Sequence, residues 1–195
     1  MKNKEIQEKR MRDYFIQATR EILKGEGIES ISVRNIADRA GYSYATLYNY
    51  FRDINDLIFL CVADFQEECK NFAEEQTQKS EKGISKLRNT VVAYIHYFVE
   101  YPGIFDLFYL TKAGSLGHKP STLNTIGTSL DNVCEEEWQN CISQNLFSAE
   151  EAEKKKEQLR FLVAGMLLFF LNRRIPGTYD SFISQVNLQI DQILK

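Results

Sequence analysis

Apolar residues recur at intervals of three and four along most of the 195-residue chain, and this spacing predicts amphipathic helices. The first predicted helix covers about residues 4–24 and ends at Gly25 and Gly27, since glycine is common at helix C-termini. Its apolar face consists of Met11, Phe15, Ala18 and Ile22. The sequence lacks strand-like alternation, so the pattern predicts an all-α fold with roughly nine helices.

The later helices are predicted from the same spacing and from short polar residues at their starts. We expect Ser32 to cap a second helix and Asp53 or Asn55 to cap a fourth, because such side chains accept hydrogen bonds from the first amides of a helix. The predicted segments are helices at about 33–40, 43–51, from 53 onward, 84–101, 122–146, 149–174 and 179–194, with an aromatic segment at 104–110 and a loop at 111–121.

The segment between Ser32 and Phe51 has the pattern of a helix-turn-helix. Gly41 separates its two short helices and suits the tight turn, where a positive φ or a close approach is needed. The apolar positions of this segment are Ile36, Ala37, Ala40, Leu47 and Phe51. This spacing is typical of two short helices that cross steeply over a small core. The spacing alone also fits a three-helix unit that packs without binding DNA.

Helical geometry separates the two faces of the third helix. At about 100° per residue, Leu47 and Phe51 point inward together. The residues most opposed to them, expected to face bases in a major groove, are Ala45, Thr46 and Asn49. Tyr48 and Tyr50 flank that face and can donate to phosphate oxygens, which position a protein on DNA. The full set of predicted DNA contacts is Ser32, Arg34, Ser43, Tyr44, Ala45, Thr46, Tyr48, Asn49, Tyr50 and Arg52.

Residues 27–58, GIESISVRNIADRAGYSYATLYNYFRDINDLI, resemble the DNA-binding domain of TetR-family transcriptional regulators. The matching positions are Gly27-Ile28, Ser32, Ile36-Ala37, Ala40-Gly41, Ser43, Thr46-Leu47-Tyr48, Phe51 and Leu57. Two positions depart from the family's pattern, which often has lysine where this chain has Tyr44 and Ile54. These departures bear on affinity and on the operator more than on the mode of binding.

The resemblance implies a DNA-binding domain in residues 1–52 and a helical ligand-binding and dimerisation domain in residues 53–195. It also implies a homodimer on a pseudo-palindromic operator in double-stranded DNA, released by a small-molecule effector, and a repressor more than an activator. The residues expected at the dimer interface are Leu159, Leu162, Val163, Met166, Leu167, Phe170, Phe182, Val186, Ile190 and Ile193. The alternative for the apolar run at 161–171 is the core of a single protomer.

Aromatic residues of the larger domain are candidates for the lining of an effector pocket, which is usually apolar with a few polar groups. The candidates are Tyr94, Phe98, Tyr101, Phe105, Phe108, Tyr109, Trp138, Phe161 and Phe169. They fit an apolar or aromatic ligand. Packed core is the alternative explanation for each ring, and an ordinary half-buried histidine is expected at His96.

Charge and composition narrow the class of protein. The net charge is −3. Residues 1–60 carry ten Lys/Arg against nine Asp/Glu, or +1, and the rest fourteen against eighteen, or −4. This mild asymmetry permits nucleic-acid binding without demanding it.

The cysteine and histidine content argues against a zinc site. The chain has four cysteines, none in a CxxC pair, and two histidines. We therefore expect free thiols and no metal.

Other function classes find little support. The charged N-terminus lacks the apolar region of a signal peptide, and the apolar run at 161–171 is short for a membrane span, so a cytoplasmic protein without membrane contact is expected. No nucleophile motif or phosphate-cradling loop is present in the sequence, so we expect no enzyme and no cofactor. The alternative hypothesis is a helical ligand-binding or adaptor protein without DNA binding.

Overall fold

The computed structural model describes residues 2–112, 120–174 and 177–195. Across these ranges the chain forms eleven α-helices, a 3₁₀ turn at Ile28–Ser30 and a π-helical turn at Asp106–Leu110, and no strand. The α-helices are α1 (Lys2–Gly25), α2 (Val33–Ala40), α3 (Tyr44–Tyr48), α4 (Ile54–Thr77), α5 (Ile84–Glu100), α6 (Pro102–Phe105), α7 (Pro120–Gly127), α8 (Ser129–Val133), α9 (Glu135–Ser143), α10 (Ala149–Leu171) and α11 (Tyr179–Leu194). The all-α prediction is confirmed, with more helices than the sequence pattern indicates.

Hydrogen bonds to capping side chains fix the starts of three N-terminal helices, α2, α3 and α4. The Ser32 hydroxyl accepts a hydrogen bond at 3.1 Å from the amide three residues later, and the Ser43 hydroxyl does the same at 3.2 Å. The Asp53 carboxylate accepts from the amides of Asn55 and Asp56 at 2.7 and 3.1 Å. Each cap contributes about 1 kcal/mol to its helix. The caps predicted at Ser32 and Asp53 are therefore confirmed.

The span predicted as one helix at 122–146 is three helices, α7, α8 and α9. Gly127 ends α7 and Cys134 separates α8 from α9. The buried residues keep a helical spacing across this second break: Leu130, Val133, Cys134, Glu137, Trp138 and Cys141. Because the spacing continues through the bend, hydrophobic periodicity alone does not reveal it.

The segment after α5 is also more helical than predicted. Pro102 ends α5, as expected, and is at the same time the first residue of α6. Proline suits this position because its missing N–H has no intrahelical partner there in any case. The π-helical turn follows at once, so the aromatic segment at 104–110 is helical throughout. Most of the loop predicted at 111–121 lies outside the described residues.

Contacts divide the chain into two units. The first contains Met1–Phe65 and Tyr101–Gly127, and the second contains Gln66–Glu100 and Thr128–Lys195. This division falls inside α4 and differs from the boundary expected between residues 52 and 53. Gly103 shows why α6 belongs with the N-terminal helices. A Cβ atom there would lie 2.4 Å from the carbonyl oxygen of Leu23, so α6 packs on the end of α1 at a distance that only glycine allows.

The core of the second unit is built from α5, α9, α10 and α11. Its fully or almost fully buried side chains include Tyr94, Trp138, Val163, Leu167, Val186 and Ile190. The rings of Phe170 and Phe182 stack with centroids 4.0 Å apart and so join α10 to α11. A capping box between Ser148 and Glu151 starts α10.

Candidate DNA-binding site

A small aromatic and aliphatic core holds the three N-terminal helices together. It contains Phe15, Ala18, Ile22, Ile36, Leu47, Phe51 and Leu57. Leu47, the buried residue of α3, is 0% exposed, and burying such a side chain stabilises the fold by about 2 kcal/mol. Phe15 and Phe51 meet edge to face at 6.3 Å. The predicted inward positions of α3 are therefore confirmed.

The opposite side of α3 is open. Tyr44 and Tyr48, one helical turn apart, are 66% and 55% exposed. Ala45 and Asn49 are also exposed. The helix itself ends at Tyr48, and Asn49 is its C-cap, so α3 is shorter than the predicted span of 43–51. One turn of helix with an exposed face is thus held from behind by Leu47.

A groove of about 590 Å³ separates the outer faces of α2 and α3. Its lining is Val33, Arg34, Ala37, Asp38, Tyr42, Ser43, Tyr44 and Tyr48. Arg34 contributes a cation and Asp38 a carboxylate, so their charges offset each other. Phenol hydroxyls are therefore the main additional hydrogen-bond donors along this groove.

The predicted DNA contacts differ in how much of their surface is free. Arg34, Ser43, Tyr44, Ala45, Tyr48, Asn49 and Arg52 are exposed, and Ser32, Thr46 and Tyr50 are half-buried. The hydroxyls of Ser43 and Thr46 lie 2.9 Å apart, so both take part in the cap of α3. The structure therefore brings Arg34, Ser43, Tyr44 and Tyr48 to one groove. Four members of the predicted set also help to hold the domain: Ser32, Ser43, Thr46 and Tyr50.

Tyr50 has a structural role that the sequence analysis missed. Its ring packs against the core beside Phe15, at a centroid distance of 6.3 Å. Its carbonyl oxygen accepts a hydrogen bond of 2.7 Å from the guanidinium of Arg12. The same guanidinium lies 4.5 Å from the centroid of the Phe51 ring. Arg12 therefore ties α1 to the residues after α3.

Tyr42 extends the aromatic surface toward α1. Its ring centroid lies 6.0 Å from that of Tyr14 and 5.8 Å from that of Phe15. Tyr14 is 53% exposed. The sequence offers one signal for the contact between Tyr14 and Tyr42, since Tyr14 adjoins the core residue Phe15.

The aromatic residues predicted to line a ligand pocket are divided between the two units. In the second unit Tyr94, Phe98 and Trp138 are buried, and the rings of Tyr94 and Phe98 lie 4.8 Å apart. Phe161 and Phe169 are instead 73% and 47% exposed on α10. The remaining candidates belong to the first unit: Tyr101, Phe105, Phe108 and Tyr109. Phe161 and Phe169 therefore differ from Tyr94, Phe98 and Trp138, because their side chains lie on the outer side of α10.

The residues predicted for the dimer interface divide by burial. Six lie in the core of the second unit: Leu159, Val163, Leu167, Phe182, Val186 and Ile190. Four are half-buried: Leu162, Met166, Phe170 and Ile193. The large exposed hydrophobic side chains of these two helices are Phe161, Phe169, Tyr179 and Leu188. An apolar stripe in sequence does not tell a core face from an interface face, which explains the mixture.

Buried titratable groups are distributed through both units. All four cysteines are free and buried, as predicted, and burial raises the pKa of Cys61 to about 12. Burial also lowers the pKa of the half-buried His96.

The part of the chain that the structure describes holds no cluster of three or more His, Cys, Asp or Glu suited to a metal ion. No helix in that part is both long and apolar enough to cross a membrane.

Residues 15–61 match the sequence family described as bacterial regulatory proteins, tetR family. The transcriptional regulator FadR from Bacillus subtilis, crystallised in complex with stearoyl-CoA, superposes with a TM-score of 0.71 over 94% of this chain and 98% of its own, at 15% identity. The fatty acid degradation regulator FadR from Bacillus halodurans gives 0.70 over 94% of each chain, also at 15% identity.

A TetR-family transcription regulator from Marinobacter aquaeolei VT8 gives a TM-score of 0.62 over 98% of this chain and 97% of its own, at 18% identity. At such identities the likeness to solved structures establishes the shared fold. The match of residues 15–61 lies on the three-helix core described above. Residues 15–61 therefore form a DNA-binding domain of the tetR family of bacterial regulatory proteins, and the chain shares its overall fold with regulators of that family.

Proposed function

We propose that the protein is a homodimeric repressor that acts in the cytoplasm, binds a pseudo-palindromic operator through α3, and leaves it when a small apolar ligand binds. One observation carries the proposal. Leu47 anchors α3 from behind at 0% exposure, while Tyr44 and Tyr48 stand 66% and 55% exposed on its outer side. A major groove about 12 Å wide admits an α-helix held in this way.

We assign the base contacts to two exposed residues one turn apart, Ala45 in α3 and Asn49 at its C-cap. The Asn49 amide can donate to and accept from one adenine, and the Ala45 methyl can pack on a thymine methyl. Arg34 and Arg52 are proposed to contact phosphates, with Tyr48 donating from the edge of the helix. These contacts position the domain, whereas the base contacts select the sequence.

The charge of the site supports a weakly salt-dependent complex. Asp38 shares the groove with Arg34, the net charge of the whole chain is −3, and tyrosine replaces the usual lysine at position 44. The salt dependence of DNA affinity follows the number of phosphates neutralised by Lys and Arg. Neutral phenol donors add contacts without adding to that number.

The dimer contact is proposed on the exposed apolar side chains of α10 and α11. Phe161 and Phe169 lie on one side of α10 with Gly165 between them, and Leu188 is 57% exposed on α11. Exposed apolar side chains of this size are typical of surfaces that become buried when two protein chains associate. In a symmetric dimer the two copies of α3 would enter successive major grooves about 34–36 Å apart.

The ligand is proposed to be apolar with a polar head. The Bacillus subtilis relative was crystallised with stearoyl-CoA. In the second unit, Tyr94 donates to the Ser129 hydroxyl at 3.0 Å and Gln66 donates to the Ser129 carbonyl at 3.2 Å. The buried Gln66 Oε1 has no hydrogen-bond partner among the residues that the structure describes, and leaving such an acceptor unpaired is costly. A hydrogen-bond donor on a ligand that enters among Tyr94 and Phe98 would satisfy it.

The test is DNA binding with and without an acyl-CoA. Fluorescence anisotropy of labelled DNA from upstream of the protein's own gene should show specific binding, and stearoyl-CoA should weaken it at least about tenfold, as coupling free energies of 1–3 kcal/mol allow. Release requires that the ligand bind the two states of the protein with different affinity. Binding that ignores stearoyl-CoA would refute this ligand class while leaving the DNA-binding proposal intact.

A second candidate function is a ligand-binding protein that does not bind DNA. The observations that favour it are Asp38 in the groove and the absence of lysine at positions 44 and 54. The same measurement separates the two functions. A folded dimer that binds stearoyl-CoA but no double-stranded DNA at low salt would support this second function.

A further inference from the structure

A second concave site lies within the first unit and shares no lining residue with the groove between α2 and α3. Its volume is about 560 Å³, in the range of small-molecule pockets, roughly 300–1,000 Å³. Its aliphatic wall is formed by Ile28, Ile31, Ile54 and Ile58. These isoleucines come from the connection between α1 and α2 and from the first turns of α4.

The rest of the lining is mostly polar and contains Asp106, the first residue of the π-helical turn. Asp106 is an exposed residue. Its carboxylate forms no ion pair with any residue that the structure describes, and partial burial raises its pKa. A cation close to this carboxylate would lower that pKa instead. Glu29 adds a second carboxylate to the lining, and Lys112 adds one ammonium. Two carboxylates against one ammonium leave the pocket with a net charge of −1.

We propose that this pocket is a separate ligand site for an organic cation with an aliphatic body, such as an alkylammonium. The isoleucine wall would cover the alkyl chain, since burying apolar surface is the main favourable term in binding of this kind. Asp106 would face the ammonium group and form with it a charge-assisted contact that it does not make with any described residue. A fatty acid is disfavoured here because its carboxylate would meet Asp106 and Glu29.

The position of the pocket gives this site a structural consequence. Gly103 fixes α6 against the end of α1, and the π-helical turn that follows places Asp106 in the pocket wall. π-Helical turns occur frequently at functional sites. A ligand here would contact both the residues that connect α1 to α2 and the start of α4. It would thereby brace the helix-turn-helix through residues that lie outside the groove between α2 and α3.

The experiment compares three molecules with the same eight-carbon chain, octylammonium chloride, 1-octanol and sodium octanoate, by isothermal titration calorimetry on the full-length protein without DNA. We expect one octylammonium site per chain, with octanol about fivefold weaker for lack of a charge contact, and octanoate weakest. Hydrogen–deuterium exchange should show octylammonium protection at 28–31, 54–58 and 106–112. Because no DNA is present, the outcome is independent of the proposed repressor function.

Two matched variants test whether the Asp106 carboxylate contributes to octylammonium binding. Asp106→Asn should weaken octylammonium about fivefold and leave octanol unchanged. Glu157→Gln removes one negative charge from an exposed position of α10 and should leave both unchanged. Equal affinity for octanoate and octylammonium, or full octylammonium affinity in Asp106→Asn, would overturn the proposal. Exchange protection confined to the second unit would overturn it as well, because the molecule would then bind elsewhere.

Discussion

The guanidinium of Arg12 donates a 2.7 Å hydrogen bond to the carbonyl oxygen of Tyr50 and lies 4.5 Å from the Phe51 ring centroid. One side chain of α1 thus satisfies a carbonyl just beyond α3 and covers an aromatic ring of the core. Because α3 is a single turn of five residues, its own backbone hydrogen bonds do little to hold it. The position of the recognition helix therefore depends on contacts from α1.

Replacing Arg12 should loosen the domain without DNA being present. Arg12→Ala removes a hydrogen bond to a carbonyl and a cation–π contact, which together contribute about 1–2 kcal/mol at an exposed site. Urea unfolding of the free protein measures this loss. Arg10→Ala is the control, because Arg10 carries the same charge on the same helix and is exposed. Equal stability of the two variants would show that the Arg12 contact contributes nothing.

Gly103 should tolerate no side chain. In Gly103→Ala the new methyl group would meet the carbonyl oxygens of Leu23 and Lys24, at 2.4 and 2.8 Å from the ideal Cβ position. Moving α6 away from α1 should cost about 1–3 kcal/mol, as overpacking usually does. Thermal unfolding measures the effect. Gly127→Ala, where a Cβ meets no atom within 4 Å, should be neutral or slightly stabilising, and a similar loss in both variants would argue against the α1–α6 contact.

Tyr44→Lys should restore a phosphate contact that this chain lacks. Tyr44 is 66% exposed at the first position of α3. A lysine there should steepen the dependence of log affinity on log salt by about one unit, the change expected for one further neutralised phosphate. Tyr44→Phe, which adds no charge, should keep the wild-type slope. Anisotropy titrations at several salt concentrations give the slopes, and identical slopes for Lys and Tyr would place residue 44 away from the backbone.

Phe161→Glu should prevent dimer formation. Phe161 is 73% exposed on α10, and burying the introduced carboxylate in an apolar contact would cost several kcal/mol. Sedimentation velocity should show monomers for this variant and dimers for the wild type. Leu146→Glu makes the same kind of change at a residue 43% exposed before α10 and should remain dimeric. A dimeric Phe161→Glu protein would require another interface.

The sequence predicts the elements whose signals are local. Ser32 and Asp53 cap helices because their own side chains reach nearby amides, and Leu47 is buried because its helix has one apolar side. The Arg12–Tyr50 contact joins residues 38 positions apart, and no local pattern encodes it. The break at Cys134 is hidden for a different reason, since buried residues keep the helical period on both sides of it.

The apolar faces of α10 and α11 show a further limit of periodicity. Val163 and Phe161 are both apolar, yet the first is 0% and the second 73% exposed. Period and hydrophobicity assign both to an apolar face, and only the packing of α10 against α5 and α11 separates them. The outer side of α3 is easier to predict from the sequence, because the direction opposite to one core residue, Leu47, defines it in so short a helix.

The account depends most directly on base recognition by α3. Selection of double-stranded DNA from a random library, with wild type and Asn49→Ala in parallel, tests it. The wild type should enrich a pseudo-palindromic site, and Asn49→Ala should lose preference at one symmetric base pair per half-site, by about 1–3 kcal/mol, with unchanged unfolding. No enriched duplex for the wild type, or an identical consensus for both proteins, would contradict the assignment of α3 as the reading helix.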